Sequence, residues 1–306
     1  MAEAKGHPRL PLLLPYLALF GGLLMLGLSA ILVRMAQVPG TVAAFYRVAI
    51  AVVVIAPAFF LRLPSRAPLP RRGLWLAALG GLLFAGDLAA WSTGVVLSGA
   101  TNPTLLANTA PLWVGLGALL LFRERLGRGF WLGLALAMAG AAVVLGTDAL
   151  RSFEVGLGTL LGLLAGVFYG SYFLVTQRGR AQLDALSYFW LSSLINAGGL
   201  LVLTQAFGQP LTGYPPRSYL VLLALALGPQ VIGWLAINYA QGHLPASLVS
   251  PTLLGQPVVT ALLAGPMLGE RLVPVQVLGG LAVLAGVLWV HRSRQGAREK
   301  QQPQRL

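Results

Sequence analysis

The sequence predicts an all-α integral membrane protein: ten transmembrane helices in two inverted five-helix repeats, with N- and C-termini cytoplasmic. Three observations carry this. Of the 306 residues 57% are hydrophobic and 9% charged, with a mean hydropathy of +0.79, whereas a water-soluble domain carries about a quarter charged residues. The apolar runs are about 20 residues long and lack the alternation of a barrel strand, which leaves helices as the structures that satisfy their own backbone in lipid. Finally, Pro111 to Val144 recurs without a gap as Pro257 to Val290. Pro111 falls on Pro257, Glu124-Arg125-Leu126 on Glu270-Arg271-Leu272, Gly133 on Gly279 and Gly140 on Gly286. Each copy reads as a span, a tight charged turn and a second span.

In chain order, residues 1–11 form a short polar cytoplasmic lead. The first span is too long for a signal-peptide core and has no small-residue cleavage site, so it is expected to stay. The first repeat, 12–146, holds spans over 12–33, 42–61, 74–97, 103–122 and 129–146. An external connector, 147–154, leads to the second repeat, 155–291, with spans over 155–176, 186–207, 217–240, 245–268 and 272–290. Residues 292–306 are read as a disordered basic cytoplasmic tail that touches anionic lipid.

Charge sets the orientation. Of the 21 Lys and Arg, Arg34, Arg151, Arg217 and Arg271 fall outside, Arg47 lies within span 2, and all others fall on the side of the N-terminus, which is therefore cytoplasmic. Five spans per copy is an odd number, so the two copies cross the membrane in opposite senses, related by an axis in its plane. Upstream of the repeated hairpin a register of 143 sets Leu26-Gly27 on Tyr169-Gly170, Asp87 on Gln230 and Trp91 on Trp234.

Several function classes find no residues here. The net charge of +13 would suggest nucleic acid in a soluble protein, but the basic residues sit at span ends, so no nucleic-acid partner is expected. With no cysteine there is no disulfide or thiol chemistry, and Asn102-Pro103-Thr104 has the proline that forbids glycosylation. His7, His243 and His291 are scattered, so neither a metal site nor a catalytic base is evident. Lys5 and Lys300, the only lysines, lie in the tails, so no phosphate-binding loop exists. No catalytic residue, metal or cofactor is expected.

Ionisable groups inside the bilayer are the sharper signal, each costing several kcal/mol unless paired or wet. Asp87 in span 3 and Arg47 in span 2 are expected to face the interior, either as a structural ion pair or flanking a solvated cavity. Glu124 and Glu270 lie on opposite faces of the membrane and are read as braces of their turns beside Arg125 and Arg271. Asp87 and Trp91 share a face of span 3; Gln230, Trp234 and Asn238 follow i, i+4, i+8 on span 8; Tyr169 and Tyr172 share a face of span 6. These stripes either bind a solute, its apolar or cationic part on the rings and its polar end on Asn238 and Asp87, or pack helix on helix.

Pro111 in span 4 and Pro251 and Pro257 in span 9 each remove a backbone hydrogen bond. Asn108 and Gln256 stand beside these breaks, at corresponding places in the two halves, where inverted-repeat transporters tend to bind substrate. Spans 5 and 10 carry no interior charge and space their glycines for close packing, either buttressing the bundle or joining a homodimer.

Ten spans in two halves, each closing with Pro, a span, Gly-or-Arg-Glu-Arg-Leu and a glycine-spaced last helix, resemble the EamA-type branch of the drug/metabolite transporter superfamily. Phe45-Tyr46-Arg47 at the start of span 2 resembles it too, while span 7 departs, with Trp190 at the place equivalent to Arg47. Its aromatic-rich central spans are similar to YddG-type aromatic amino-acid exporters. The resemblance implies a secondary transporter or facilitator of the bacterial inner membrane, working by alternating access about a site enclosed by spans 1–4 and 6–9. It further implies export of small metabolites, amino acids above all, with aromatic or cationic aromatic solutes favoured by the rings. Transport of another class such as nucleotide sugars and a non-transporting membrane scaffold are the alternatives; lipid and a small solute are the expected partners.

Overall fold

The computed structural model describes residues 13–62, 68–98, 101–146, 156–269 and 273–299. Among these there are helices and no strand, and ten helices are long and apolar enough to cross a membrane. They are α1 (Leu13–Ala36), α2 (Gly40–Arg62), α3 (Arg71–Ser98), α4 in two pieces (Thr101–Ala107 and Ala110–Leu121), α5 (Arg128–Leu145), α6 (Leu157–Arg180) and α7 (Ala185–Ala206). α8 runs through Pro216–Leu225, a π-helical stretch Ala226–Gly233, and Trp234–Gln241. α9 runs through Ala246–Thr252, a 3₁₀ turn Leu253–Gly255, and Gln256–Leu268; α10 is Pro274–Glu299. The connector 147–154, Glu270 and Arg271 lie outside the described residues.

The two-fold relation can be read from glycines. α5 and α10 cross so closely that a Cβ on Gly133 would stand 2.9 Å from the Gly286 carbonyl oxygen, and one on Gly279 would stand 2.9 Å from that of Gly140. A Cβ on Gly140 would meet the Gly279 oxygen at 2.6 Å, and one on Gly286 the Gly133 oxygen at 2.6 Å. Each contact maps onto its partner when the repeats are exchanged, as an axis in the membrane plane requires. These glycine faces meet each other within the chain, and the leucine face, with Leu132, Leu278 and Leu281 exposed, is turned outward.

The upstream register has the same kind of support. A Cβ on Gly27 of α1 would meet Val259 and the Thr260 N–H of α9, and one on Gly170 of α6 would meet Trp113 and the Val114 N–H of α4. Gly27 to Gly170 is the register of 143, and Trp113-Val114 to Val259-Thr260 is that of the repeated hairpin. Helices of opposite halves therefore interleave, α3 against α6 and α7, and α1 against α8 and α9.

The charged turn after the fourth helix of each half has a left-handed residue at the same place. It is Arg123 (φ 53°) in the first copy and Gly269 (φ 71°) in the second. Glycine adopts this conformation freely, whereas a residue with a Cβ loses about 1 kcal/mol.

Of the segment expected as a disordered tail, 292–299 is helical, α10 continuing to Glu299, while 300–306 lie outside the described residues. Arg294 reaches across to the carboxylate of Glu124 at 2.6 Å, and basic residues favour a helix C-terminus. Glu124 is thus structural, as expected, but its partners are Arg294 and the Ser247 hydroxyl (2.6 Å), not Arg125. The beginning of α1 and the end of α10 share one face, the Tyr16 and His291 rings being 5.8 Å apart.

Candidate functional site

The fourth helix of each half breaks where its proline sits. Pro111 has no N–H to offer the Ala107 carbonyl, so α4 stops at Ala107, turns through Asn108 and Thr109, and restarts at Ala110. Pro257 stands at the equivalent place just after the 3₁₀ turn of α9, and Pro251 lies within the helical piece before that turn. A stripe of glycines on α6 lets α4 approach: a Cβ on Gly166 would meet the Leu106 carbonyl at 2.8 Å, and one on Gly170 that of Ala110 at 2.9 Å.

Beside these breaks lies a cavity of about 440 Å³, within the range that holds small-molecule ligands. Arg47, Asp87, Trp91, Asn108, Tyr169, Trp234 and Gln256 all line it. It reaches Val33 near the end of α1 and Gly40 at the start of α2, which places its mouth on the face that the charge distribution makes external. Its floor is a packed set of rings. Phe84 stacks on Tyr172 (centroids 4.7 Å apart) and lies against Trp234 at 4.9 Å, and Tyr169 lies against Phe173 at 4.8 Å.

Among the described residues no salt bridge joins Arg47 to Asp87, although both line this cavity. Arg47 Nη1 donates to Ser29 Oγ at 3.4 Å, and its Nε has no partner. Of the two arrangements open to the sequence, the structure has the flanked cavity. Trp91 is held at the wall by its indole N–H, which donates to Thr104 Oγ1 at 3.0 Å, and Asn108 Nδ2 donates to the Thr104 carbonyl at 2.8 Å. At the position equivalent to Arg47 in the second half, Trp190 stacks on Phe59 (4.2 Å) and donates to the Val52 carbonyl, away from the cavity.

Three expected site residues lie elsewhere. Tyr172 and Gln230 line a separate small void with Ser192, Ser193 and Asn196. Asn238 is fully buried near the cytoplasmic end of α8 and spends its Nδ2 on the Trp234 carbonyl at 2.9 Å. At 1.5 Å per residue, it is too deep to reach a cavity in the outer half. Pro111 borders a minor void of about 20 Å³ with Asn108 and Gln256, and neither Pro251 nor Pro257 lines a described cavity. Ser29, Phe84 and Thr104 are cavity residues that sequence reasoning missed. Phe84 was legible, since Phe84, Asp87, Leu88 and Trp91 form one helical stripe; an isolated Ser29 carries no such signal.

Several contacts join the two halves on the cytoplasmic side. Arg178 of α6 donates to the Leu121 carbonyl of α4 at 3.0 Å and lies 4.8 Å over the Phe122 ring, and Glu124 holds Ser247 and Arg294. Within the second half, Arg180 Nε donates to the Asn238 carbonyl at 2.6 Å and the Ala246 N–H to Gln177 Oε1 at 2.6 Å.

Comparison with known proteins agrees with this architecture. A solved crystal structure superposes with a TM-score of 0.75 at 20% identity, covering 92% of this chain and 98% of that one, a likeness of fold. An uncharacterised protein of Pseudomonas aeruginosa is 32% identical over 247 residues, 78% of this chain and 83% of its own length. A probable terminal-alkyne amino-acid exporter of Streptantibioticus cattleyicolor is 26% identical over 201 residues, 66% of this chain and 67% of its own. The model of the EamA-like transporter family matches twice, over residues 13–146 and 156–292. With both halves matched, ten membrane-spanning helices and an interior cavity that holds Arg47 and Asp87, this chain belongs to the EamA-like transporter family and is a multi-pass membrane transporter of small solutes.

Proposed function

We propose that the protein exports amino acids, with apolar and aromatic side chains favoured, across the bacterial inner membrane by alternating access. The observation that carries this reading is the unpaired placement of Arg47 and Asp87 on one aromatic-walled cavity. Opposite charges inside a bilayer lower their cost by meeting each other. Held apart on one cavity, they complement a zwitterion, whose carboxylate pairs with the guanidinium and whose ammonium pairs with the carboxylate. Trp91, Trp234, Tyr169 and Phe84 supply rings for the side chain, and Asn108 and Gln256 supply amides at the helix breaks. The export direction is taken from the similarity to a protein named as an amino-acid exporter.

The test is counterflow in liposomes with labelled phenylalanine, an aromatic organic cation and an organic anion. A zwitterion transporter moves phenylalanine and loses it with either Arg47→Gln or Asp87→Asn. A cation transporter depends on Asp87 alone and an anion transporter on Arg47 alone, and either result overturns the amino-acid reading. Movement of none of the three would also overturn the amino-acid reading and point to another solute class.

A further inference from the structure

Behind the Phe84–Trp234 wall lies the second void, about 10 Å³ in volume, bordered by Ser192, Ser193, Asn196 and Gln230. That is room for one water molecule. Its polar lining is buried, Asn196 and Gln230 being each 1% exposed and Trp234 2%. Four atoms around it have no hydrogen-bond partner: Asn196 Nδ2 and Oδ1, Gln230 Oε1 and Trp234 Nε1. A dry, unpartnered polar group costs about 1–3 kcal/mol, so four such groups at one void are a cost that an occupant removes. Phe84 and Trp234 belong to both spaces. At 1.5 Å per residue Asp87 stands about 24 Å along α3 from its cytoplasmic start, while Ser193 stands about 12 Å along α7 from its own. The void is the more cytoplasmic of the two spaces.

We infer that this void is a second solute subsite, which receives the head group of the transported solute once the Phe84–Trp234 wall parts. The inference rests on the zwitterion reading of the outer cavity. No charged side chain borders the void; recognition is by neutral donors and acceptors. The Trp234 indole N–H and the Asn196 amide N–H groups face the carboxylate, and the Gln230 and Asn196 carbonyl oxygens face the ammonium. Trp234 borders both spaces and passes the head group from one to the other. Arg47 has no counterpart here, and the solute is bound more weakly than in the outer cavity, as a site on the way to or from the cytoplasm requires.

The chain has no cysteine, so Ser193→Cys introduces a unique thiol in the full-length protein. In inside-out vesicles, an impermeant methanethiosulfonate reagent is expected to label it, and saturating phenylalanine to slow labelling at least about fivefold. Asn196→Leu and Gln230→Leu are each expected to lower phenylalanine transport at least about tenfold, with equilibrium phenylalanine binding to the purified protein within about twofold of wild type. Both variants are made so that one misfolded chain does not decide the outcome; rescue by Asn196→Gln would separate a hydrogen-bonding role from packing. Labelling that phenylalanine leaves unchanged, or transport at the wild-type rate in both leucine variants, overturns the subsite while leaving the outer cavity intact. Absence of phenylalanine binding to wild type overturns the zwitterion reading of the outer cavity and the ligand assigned here together.

Discussion

The α5–α10 seam and the α3–α8 pair come from the same two repeats and have diverged to opposite degrees. At the seam, equivalent glycines make equivalent contacts, 2.9 Å against 2.9 Å and 2.6 Å against 2.6 Å. In the other pair, Asp87 faces Gln230 across the symmetry, a regular α-helix faces a π-helical stretch, and next to them Arg47 faces Trp190. The difference separates two demands. A scaffold that carries two halves through opposite states is served by symmetry, because one crossing fits both. A site for an asymmetric solute is not, because a two-fold cavity would offer each charge twice. Where the repeat is kept the chain is architecture, and where it is broken stand the two charged residues of the cavity, Arg47 and Asp87.

The largest effect is expected at the seam. Gly140→Leu and Gly286→Leu each drive a side chain into backbone at about 3 kcal/mol or more, and the two variants should lower the thermal midpoint by the same amount within error. Unequal losses in detergent thermal scans would break the claimed symmetry. In the path, mirror substitutions should behave unequally. Arg47→Gln is expected to lower kcat/KM for phenylalanine about 10- to 100-fold, the value of a charged hydrogen bond. Its counterpart Trp190→Phe gives up one bond to a carbonyl and should change stability by about 1 kcal/mol, with substrate preference retained.

Smaller effects sharpen the contrast between the two faces of the membrane. Glu124→Gln removes the charge that joins the halves at the cytoplasmic side, and labelling of a single cytoplasmic-side cysteine is expected to quicken about three- to fivefold as the inward-open population rises, for a loss of about 1 kcal/mol. No change in rate would mean that the tie does not hold the state. The smallest effect is Arg123→Gly, which copies the second repeat's left-handed glycine into the first. A gain of about 0.5–1 kcal/mol is expected, or a rise of a few degrees in thermal midpoint, with transport unchanged.

Part of the site was legible because helical periodicity aligns residues on one face. Asp87 and Trp91 both line the cavity, as their shared face predicted. The same rule failed on α8. Gln230, Trp234 and Asn238 would be one stripe on a regular α-helix, but the π-helical stretch Ala226–Gly233 has wider turns and rotates Gln230 relative to Trp234. Pro229 inside that stretch was the available signal. Asn238 was lost to depth, since a face is defined along the whole helix and a cavity occupies only part of it. The three amide and hydroxyl residues of α7 that border the inner void, Ser192, Ser193 and Asn196, were readable as an i, i+1, i+4 group and pointed nowhere until α8 was set against them.

The sequence by itself determined the lipid solvent, the ten spans, their orientation and the inverted relation of the halves. Each of these depends on sums over about 20 residues or on charges at span ends, which are local quantities that no packing arrangement can reverse. Only the tertiary structure decided that Arg47 and Asp87 flank a cavity without pairing, that Glu124 holds Arg294, and that the glycine faces of α5 and α10 meet each other. Those outcomes depend on which helices become neighbours and at what depth. In a chain where most faces are apolar, many neighbours satisfy the composition equally well, and close packing at a few glycines and prolines selects among them.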